Sequence, residues 1–192
     1  MASLQLKLSG QALIMHNGQT ADPRNPFSKA MKEISGKRKK TDSDLDQLAR
    51  IEFLAGLYYQ DSDIVLPDYV IESALVAGAK KSKSGTQAKC GVFVDGPSSL
   101  QFDGKPEVIN DETLGELFEG GKHTLTVGVK VGQAKVMRTR PILRNWSTVV
   151  TVEYEEDLVN RQSVIEFAKD AGRQVGICDW RPKYGRFDVE VL

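Results

Sequence analysis

The feature that most constrains the fold is the C-terminal run "STVVTVEYEEDLVNRQSVIEFAKDAGRQVGICDWRPKYGRFDVEVL". It begins with apolar and polar residues in alternation, the period-two signature of a half-buried strand. It continues as "NRQSVIEFAKDAGRQVG", in which Asn160 suits a cap and Gly172 a stop, with Val164, Phe167, Ala168 and Ala171 as the inward residues between them. It closes on a second alternating strand through Phe187, Val189 and Val191. A helix that is apolar on one side only must lay that side on another layer, and here the flanking strands provide it.

The rest of the chain supplies the other half of the same pattern. Residues Ser3 to Met15 put Leu4, Leu6 and Leu8 on one face and then run through Ala12, Leu13, Ile14 and Met15, which reads as a first strand. After the turn-rich "HNGQTADPRNP", Asn25 caps a helix over "FSKAMKEI" that stops near Gly36. Thr41 or Ser43 caps the next, whose first turn holds Asp42, Asp44 and Asp46 beside the positive helix end. A third helix follows Pro67, and "CGVFVDG" is a short buried strand. Residues 97–121 are acidic and irregular, with "ETLGELF" as one helical turn, and "HTLTVGVKVGQAKVMRTRP" reads as an extended hairpin. Two strand–helix–strand units in series predict an α+β fold: a ferredoxin-like or RRM-like antiparallel sheet covered on one face. Its first crossover is expanded by helices, and a β-hairpin is inserted. The expected organisation is one domain over 1–192, with a core from 1–16, 88–96 and 146–192. A helical elaboration covers 26–82, and an acidic and hairpin insertion covers 97–145.

Charge balance narrows the functional classes. Twenty-six Lys and Arg offset 26 Asp and Glu, so the chain is no uniformly basic nucleic-acid protein, although a local field can still select a partner. No apolar run approaches the ~20 residues of a membrane span, and no basic-then-apolar leader is visible, so a cytoplasmic protein with no membrane partner is expected. Cys90 and Cys178 form no paired motif and are read as buried, reduced thiols. Only His16 and His123 could join them, too few for a zinc site, and no carboxylate set has metal-ligand spacing. No phosphate-binding loop, nucleophile elbow or metalloprotease motif occurs. The expectation is therefore non-enzymatic, with no catalytic residue, metal or cofactor. A nuclease using His16 is a minor alternative, and the histidine by itself reads as a loop residue.

Two cationic segments stand out. "RTRPILRNW" carries Arg138, Arg140, Arg144 and Trp146; "DWRPKYGRF" carries Trp180, Arg181, Lys183, Tyr184 and Arg186. Guanidinium forks match phosphates and aromatic faces accept unstacked bases, so together these residue types make a single-strand platform. In the expected fold the segments precede the third and fourth sheet strands and can meet. The cluster Lys37, Arg38, Lys39 and Lys40 lies between two helices and could follow the backbone further out. The leading expectation is an RNA- or DNA-binding protein acting on single strands. The competing readings are an ion-paired surface and a protein interface, where Trp, Tyr and Arg are also enriched. Acidic blocks at 103–119 and 153–157 beside the basic segments also suit head-to-tail association of copies into a homo-oligomer.

At "MRTRPILRNWSTVVTVEYEED" and "AGRQVGICDWRPKYGRFDVEV" the chain resembles an uncharacterised protein family of tailed bacteriophages and prophages. The likeness extends through "ADPRNPFSKAMKEISGKRKKTDSDLDQLARIEFLAGLYY". A looser architectural similarity is to the RAMP proteins of CRISPR RNA-guided complexes, which elaborate an RRM-like core and carry a Gly-rich loop before the last strand. "GRQVGICDWRPKYGRF" occupies that place here, with fewer glycines and two bulky aromatics. The resemblance implies a non-catalytic, oligomer-forming binder of single-stranded nucleic acid in the host cytoplasm. The alternative within it is a phage assembly or interaction protein, such as a virion component or an inhibitor of a host defence complex, using the same patch on a protein partner.

Overall fold

The structure is a computed structural model that describes residues 1–130 and 132–192. In chain order it runs β1 (Ala2–Ile14), α1 (Pro26–Ser35), α2 (Asp42–Gly56), β2 (Tyr59–Gln60), β3 (Asp63–Leu66), α3 (Asp68–Ala79) and α4 (Gly85–Gly91). It continues with β4 (Val92–Val94), β5 (Ser98–Ser99), α5 (Asp111–Glu119), β6 (Thr124–Val131), β7 (Ala134–Tyr154), α6 (Arg161–Asp170) and β8 (Asp188–Val191). Two compact units share these elements: residues 1–14, 59–107 and 143–192 form the first, and 15–58 and 108–142 the second.

The first unit is α+β with an antiparallel sheet ordered β4-β7-β1-β8. Counting only β1, β4, β7 and β8, that order is the ferredoxin-like one, with the first and third strands at the centre. The register explains which face is wet. Leu6 lies opposite Val191 and Leu8 opposite Val189, while Lys7 opposes Glu190 and Ser9 opposes Asp188. Leu4, Leu6 and Leu8 are buried and Gln5 and Lys7 exposed, so the alternation in the sequence becomes a dry face and a solvent face. Helices α3 and α6 pack on each other and meet the sheet at β4 and β8, which covers the dry face. Burying each of these leucines is worth about 2 kcal/mol. A second, three-stranded antiparallel sheet of β2, β3 and β5 belongs to the same unit.

The centre of the sheet is organised around Gly10. The Trp146 indole is 1% exposed and meets the Phe187 ring edge-on, with centroids 6.1 Å apart. A Cβ on Gly10 would sit 2.7 Å from Trp146 Nε1 and 2.4 Å from the Arg186 carbonyl oxygen. The missing side chain on β1 is what lets the indole of β7 and the backbone just before β8 close over it.

In the second unit, β6 and the first half of β7 form a regular hairpin, from Thr124 opposite Pro141 to Lys130 opposite Lys135. Helix caps appear where the sequence places them. Asn25 Oδ1 accepts from the Phe27 N–H, and Thr41 and Asp44 form a capping box at the start of α2. In the first unit, Asn160 caps α6 in the same way, accepting from the Ser163 N–H.

Four local expectations are corrected. The "ETLGELF" turn is a full helix, α5, closed by a capping box of Asn110 and Thr113. The basic return around Lys83 and Lys89 contains helix α4. The segment "RTRPILRNW" is strand throughout, because Pro141 lies in the ladder where its carbonyl accepts the Met15 N–H and its lack of a donor costs nothing. The run at 26–82, read as one helical elaboration, is divided: α1 and α2 lie in the second unit and α3 packs on the sheet of the first. No helix among the described residues is long and apolar enough to cross a membrane.

Gly10→Ala is expected to lower the unfolding free energy by about 1–3 kcal/mol, because the added methyl forces the indole or the Arg186 backbone to move. Urea unfolding of wild type and variant measures it; equal midpoints would show that the contact relaxes freely.

Candidate nucleic-acid interface

The segment joining α6 to β8 is the least regular part of the first unit and the richest in chemistry. It begins as a single π-helical stretch, Ala171–Val175, and then folds into turns that are tied to β1. The Asp179 N–H donates to the Ile14 carbonyl and the Gly185 N–H to that of Ala12, both at 2.9 Å. The Ile177 N–H reaches back to the Gly185 carbonyl at 2.9 Å, closing the loop on itself. Gly185 sits at φ +72°, and a Cβ there would fall 1.9 Å from the Ile177 carbonyl oxygen, so only glycine fits.

Cys178 and Trp180 both hold positive φ, 61° and 55°. For a residue with a Cβ this left-handed conformation costs about 1–2 kcal/mol. The loop bears that cost with an indole that remains 36% exposed and lies 6.1 Å from the Tyr184 ring. Lys183 Nζ stands 5.6 Å above the same Tyr184 ring. Arg181 and Arg186 are exposed.

Together with β1 and the end of β7, this loop borders a groove of about 920 Å³. Its cations are Lys7, Arg173, Lys183 and Arg186, and its carboxylates are Asp188 and Glu190, a surplus of two positive charges. Lys7 and Glu190 approach within only 3.9 Å on an exposed surface, a pair too loose to hold either side chain firmly.

The residues named from the sequence divide into three groups. Lys183, Tyr184 and Arg186 line the groove, with Trp180 and Arg181 on the same loop. Trp146 also borders it but is buried between Gly10 and Phe187, so the expected stacking role is corrected: this indole is a core anchor. Its Nε1 has no hydrogen-bond partner among the described residues. Arg144 is exposed on β7 outside the groove lining, where its carbonyl accepts the Asp103 N–H. Arg138, Arg140 and the cluster Lys37, Arg38, Lys39 and Lys40 belong to the second unit and do not line the groove. Lys37 is engaged locally, bound to Asp44 at 2.5 Å, and that ammonium holds the Asp44 carboxyl down at about 2. Lys40 donates to the Lys37 carbonyl, and Arg38 and Lys39 are exposed.

Two groove residues were missed by the sequence reading, Lys7 and Arg173. Lys7 looks like an ordinary outward residue of an alternating strand. Arg173 lies inside what reads as the end of a helix, and only the π-helical turn carries it round to the groove.

The cysteines depart in part from expectation. Cys90 is exposed on α4. Desolvation pushes the Cys178 thiol up to about 12, against the opposing pull of Arg181. No group of three or more His, Cys, Asp or Glu side chains that could hold a metal ion occurs among the described residues. No protein-family model matches the chain, and no curated protein matches it.

At pH 8 a thiol that titrates near 12 is almost wholly protonated, so an aromatic disulfide reagent should modify one cysteine per chain quickly and the half-buried Cys178 much more slowly. Peptide mapping should place the fast label on Cys90; rapid modification of Cys178 would contradict the shielding described.

Proposed function

We propose that the first unit binds single-stranded nucleic acid, RNA or DNA, along the groove bordered by the loop 172–187, and that it does so without catalysing a reaction. One observation carries the reading. A strained, anchored loop keeps Trp180 solvent-accessible beside Tyr184, with Lys183 over the Tyr184 ring and the exposed Arg181 and Arg186 on the same loop. Backbone strain of this kind persists where surrounding structure enforces it and clusters at sites of function. Aromatic rings offer stacking surfaces to unpaired bases, and the flanking cations neutralise phosphates on either side. Lys7 and Arg173 extend the positive border along the groove.

The groove runs over the β1–β8 side of the sheet's solvent face, and that face without the loop is a poor platform. Its register places Asp188 beside Ser9, Glu190 beside Lys7 and Glu153 beside Phe93. Carboxylates there would repel phosphates, and Phe93 is the only aromatic among these paired positions. The proposal therefore differs from base stacking on a central RRM-type sheet: the strand runs past the loop at the sheet's end. The phage origin and oligomeric assembly implied by the sequence resemblance fit a strand-coating role and remain part of this proposal.

Fluorescence anisotropy with labelled short RNA and DNA tests it. Binding should weaken between about 50 and 200 mM salt, with a log–log slope of ~0.7 for each phosphate neutralised. Trp180→Ala should cost about 1–3 kcal/mol by loss of stacking and leave the salt slope nearly unchanged. The triple change Arg173→Glu, Lys183→Glu and Arg186→Glu should flatten the slope. No binding at low salt would end the reading.

A further inference from the structure

Helix α2 and the hairpin of the second unit border a cavity of about 620 Å³ whose surface is mostly apolar. Leu45, Leu48 and Ala49 line it from the helix, and Val136 and Met137 from β7. The polar groups of its inner wall satisfy one another. Glu52, 3% exposed, accepts from Arg138 and from the Thr139 N–H, and the Thr126 and Thr139 hydroxyls are hydrogen-bonded at 2.9 Å. An incoming polar group would lose its water there and find its partners taken. At the mouth, Leu45 is 50% and Met137 61% exposed. Single exposed apolar residues are ordinary, but two bulky ones bordering one apolar cavity form the kind of patch that marks a docking site.

The opening is basic. Lys40 lines the cavity while donating to the Lys37 carbonyl, and the exposed Arg38 and Lys39 precede it. On the hairpin, Lys135 lies opposite Lys130, and its stem crosses over Gly128, the partner of Met137. The opposing carboxylates are Asp46 in the lining and Asp42 at the helix start, while Asp44 is already bound to Lys37.

The first unit carries a segment of complementary build. From Ser147 to Asn160 the chain has no Lys or Arg but holds Glu153, Glu155, Glu156 and Asp157. These run into Leu158, a leucine left 45% exposed. Hydrogen bonds fix the turn that presents it. The Glu155 N–H donates to the Gly91 carbonyl at 2.9 Å, and the Glu155 carbonyl accepts from the N–H groups of Leu158 and Val159 at 3.0 and 2.9 Å. Val159 is buried. A tip held in this way loses little conformational freedom on docking.

We propose that the acidic turn of one copy docks in this cavity of a second copy. Leu158 enters beside Leu45 and Met137, and Glu156 and Asp157 meet the cations of the opening. The inference gives a surface to the self-association included in the reading above and rests on that part of it, not on strand binding. Different patches meet, so the contact is heterologous and builds a ring or an open chain.

Sedimentation analysis without nucleic acid tests it. The wild type should gain mass with concentration at about 0.05 M salt and dissociate more readily at about 0.5 M. Leu158→Ser and Met137→Glu should each weaken association about tenfold or more. Mixed together, these two variants should form a one-to-one dimer, because each retains the surface the other lacks. Unchanged urea midpoints check that both fold; Glu156→Lys with Asp157→Lys, and Leu45→Ser, are the second variants for the turn and the cavity. A wild type that stays monomeric, undiminished association in either variant, or a mixture that forms no dimer overturns the proposal, the first outcome leaving the cavity to another apolar occupant. Anisotropy with a short single strand separates the two readings. A monomeric wild type that binds the strand sinks this interface and spares the groove, whereas an associating one that binds no strand does the reverse.

Discussion

The first unit depends on the closure of two aromatic rings over an empty position. Trp146 of β7 meets Phe187, which lies just before β8, and the indole can lie there because Gly10 of β1 presents only hydrogen to it. This contact has two effects on the chemistry nearby. It fills the end of the core with large apolar surface, and it fixes the approach to β8, where Arg186, two residues before the strand, presses its carbonyl against the same glycine. The loop that bears Trp180 and Tyr184 is therefore held at both ends, by Phe187 on one side and by the hydrogen bonds of Asp179 and Gly185 to β1 on the other.

Much of the fold was legible because period-two and period-3.6 patterns are direct consequences of burial on one face. The alternation of Leu4, Leu6 and Leu8, the capped helix after Asn160 and the closing strand of Val189 and Val191 required no long-range information. The failures share a cause. Helix α5 lies in a stretch whose charge suggested an irregular insertion, yet Asn110 and Thr113 supply reciprocal capping that stabilises nine residues of helix locally. Trp146 looked like a ligand-facing indole because it follows three arginines, and nothing in that stretch reveals a glycine 136 positions upstream that makes room for it. That Arg138 and Arg140 fall in one unit and Lys183 and Arg186 in the other is likewise not written in the local sequence.

The balanced net charge conceals two different arrangements. At the groove, cations outnumber carboxylates but stand loosely at the surface, with Lys7 and Glu190 barely in range of each other. In the second unit the reverse holds: Arg138 is locked to a buried glutamate that also receives a backbone N–H. Loose cations suit a flexible polyanion that can settle in many registers, whereas one locked to a buried carboxylate is taken up within its own unit. Counting basic residues along the chain makes no distinction between these cases; their partners do.

The outer strand β8 spans four residues, and its two carboxylates alternate outward. At the opposite margin β4 spans three. Two short borders, the β8 one charged, give a neighbouring molecule few free amides to zip against, which guards the sheet from runaway edge-to-edge growth. Copies of this chain that gather on a common strand would consequently be joined by side chains or by the shared polymer, not by extending one another's ladder of peptide groups.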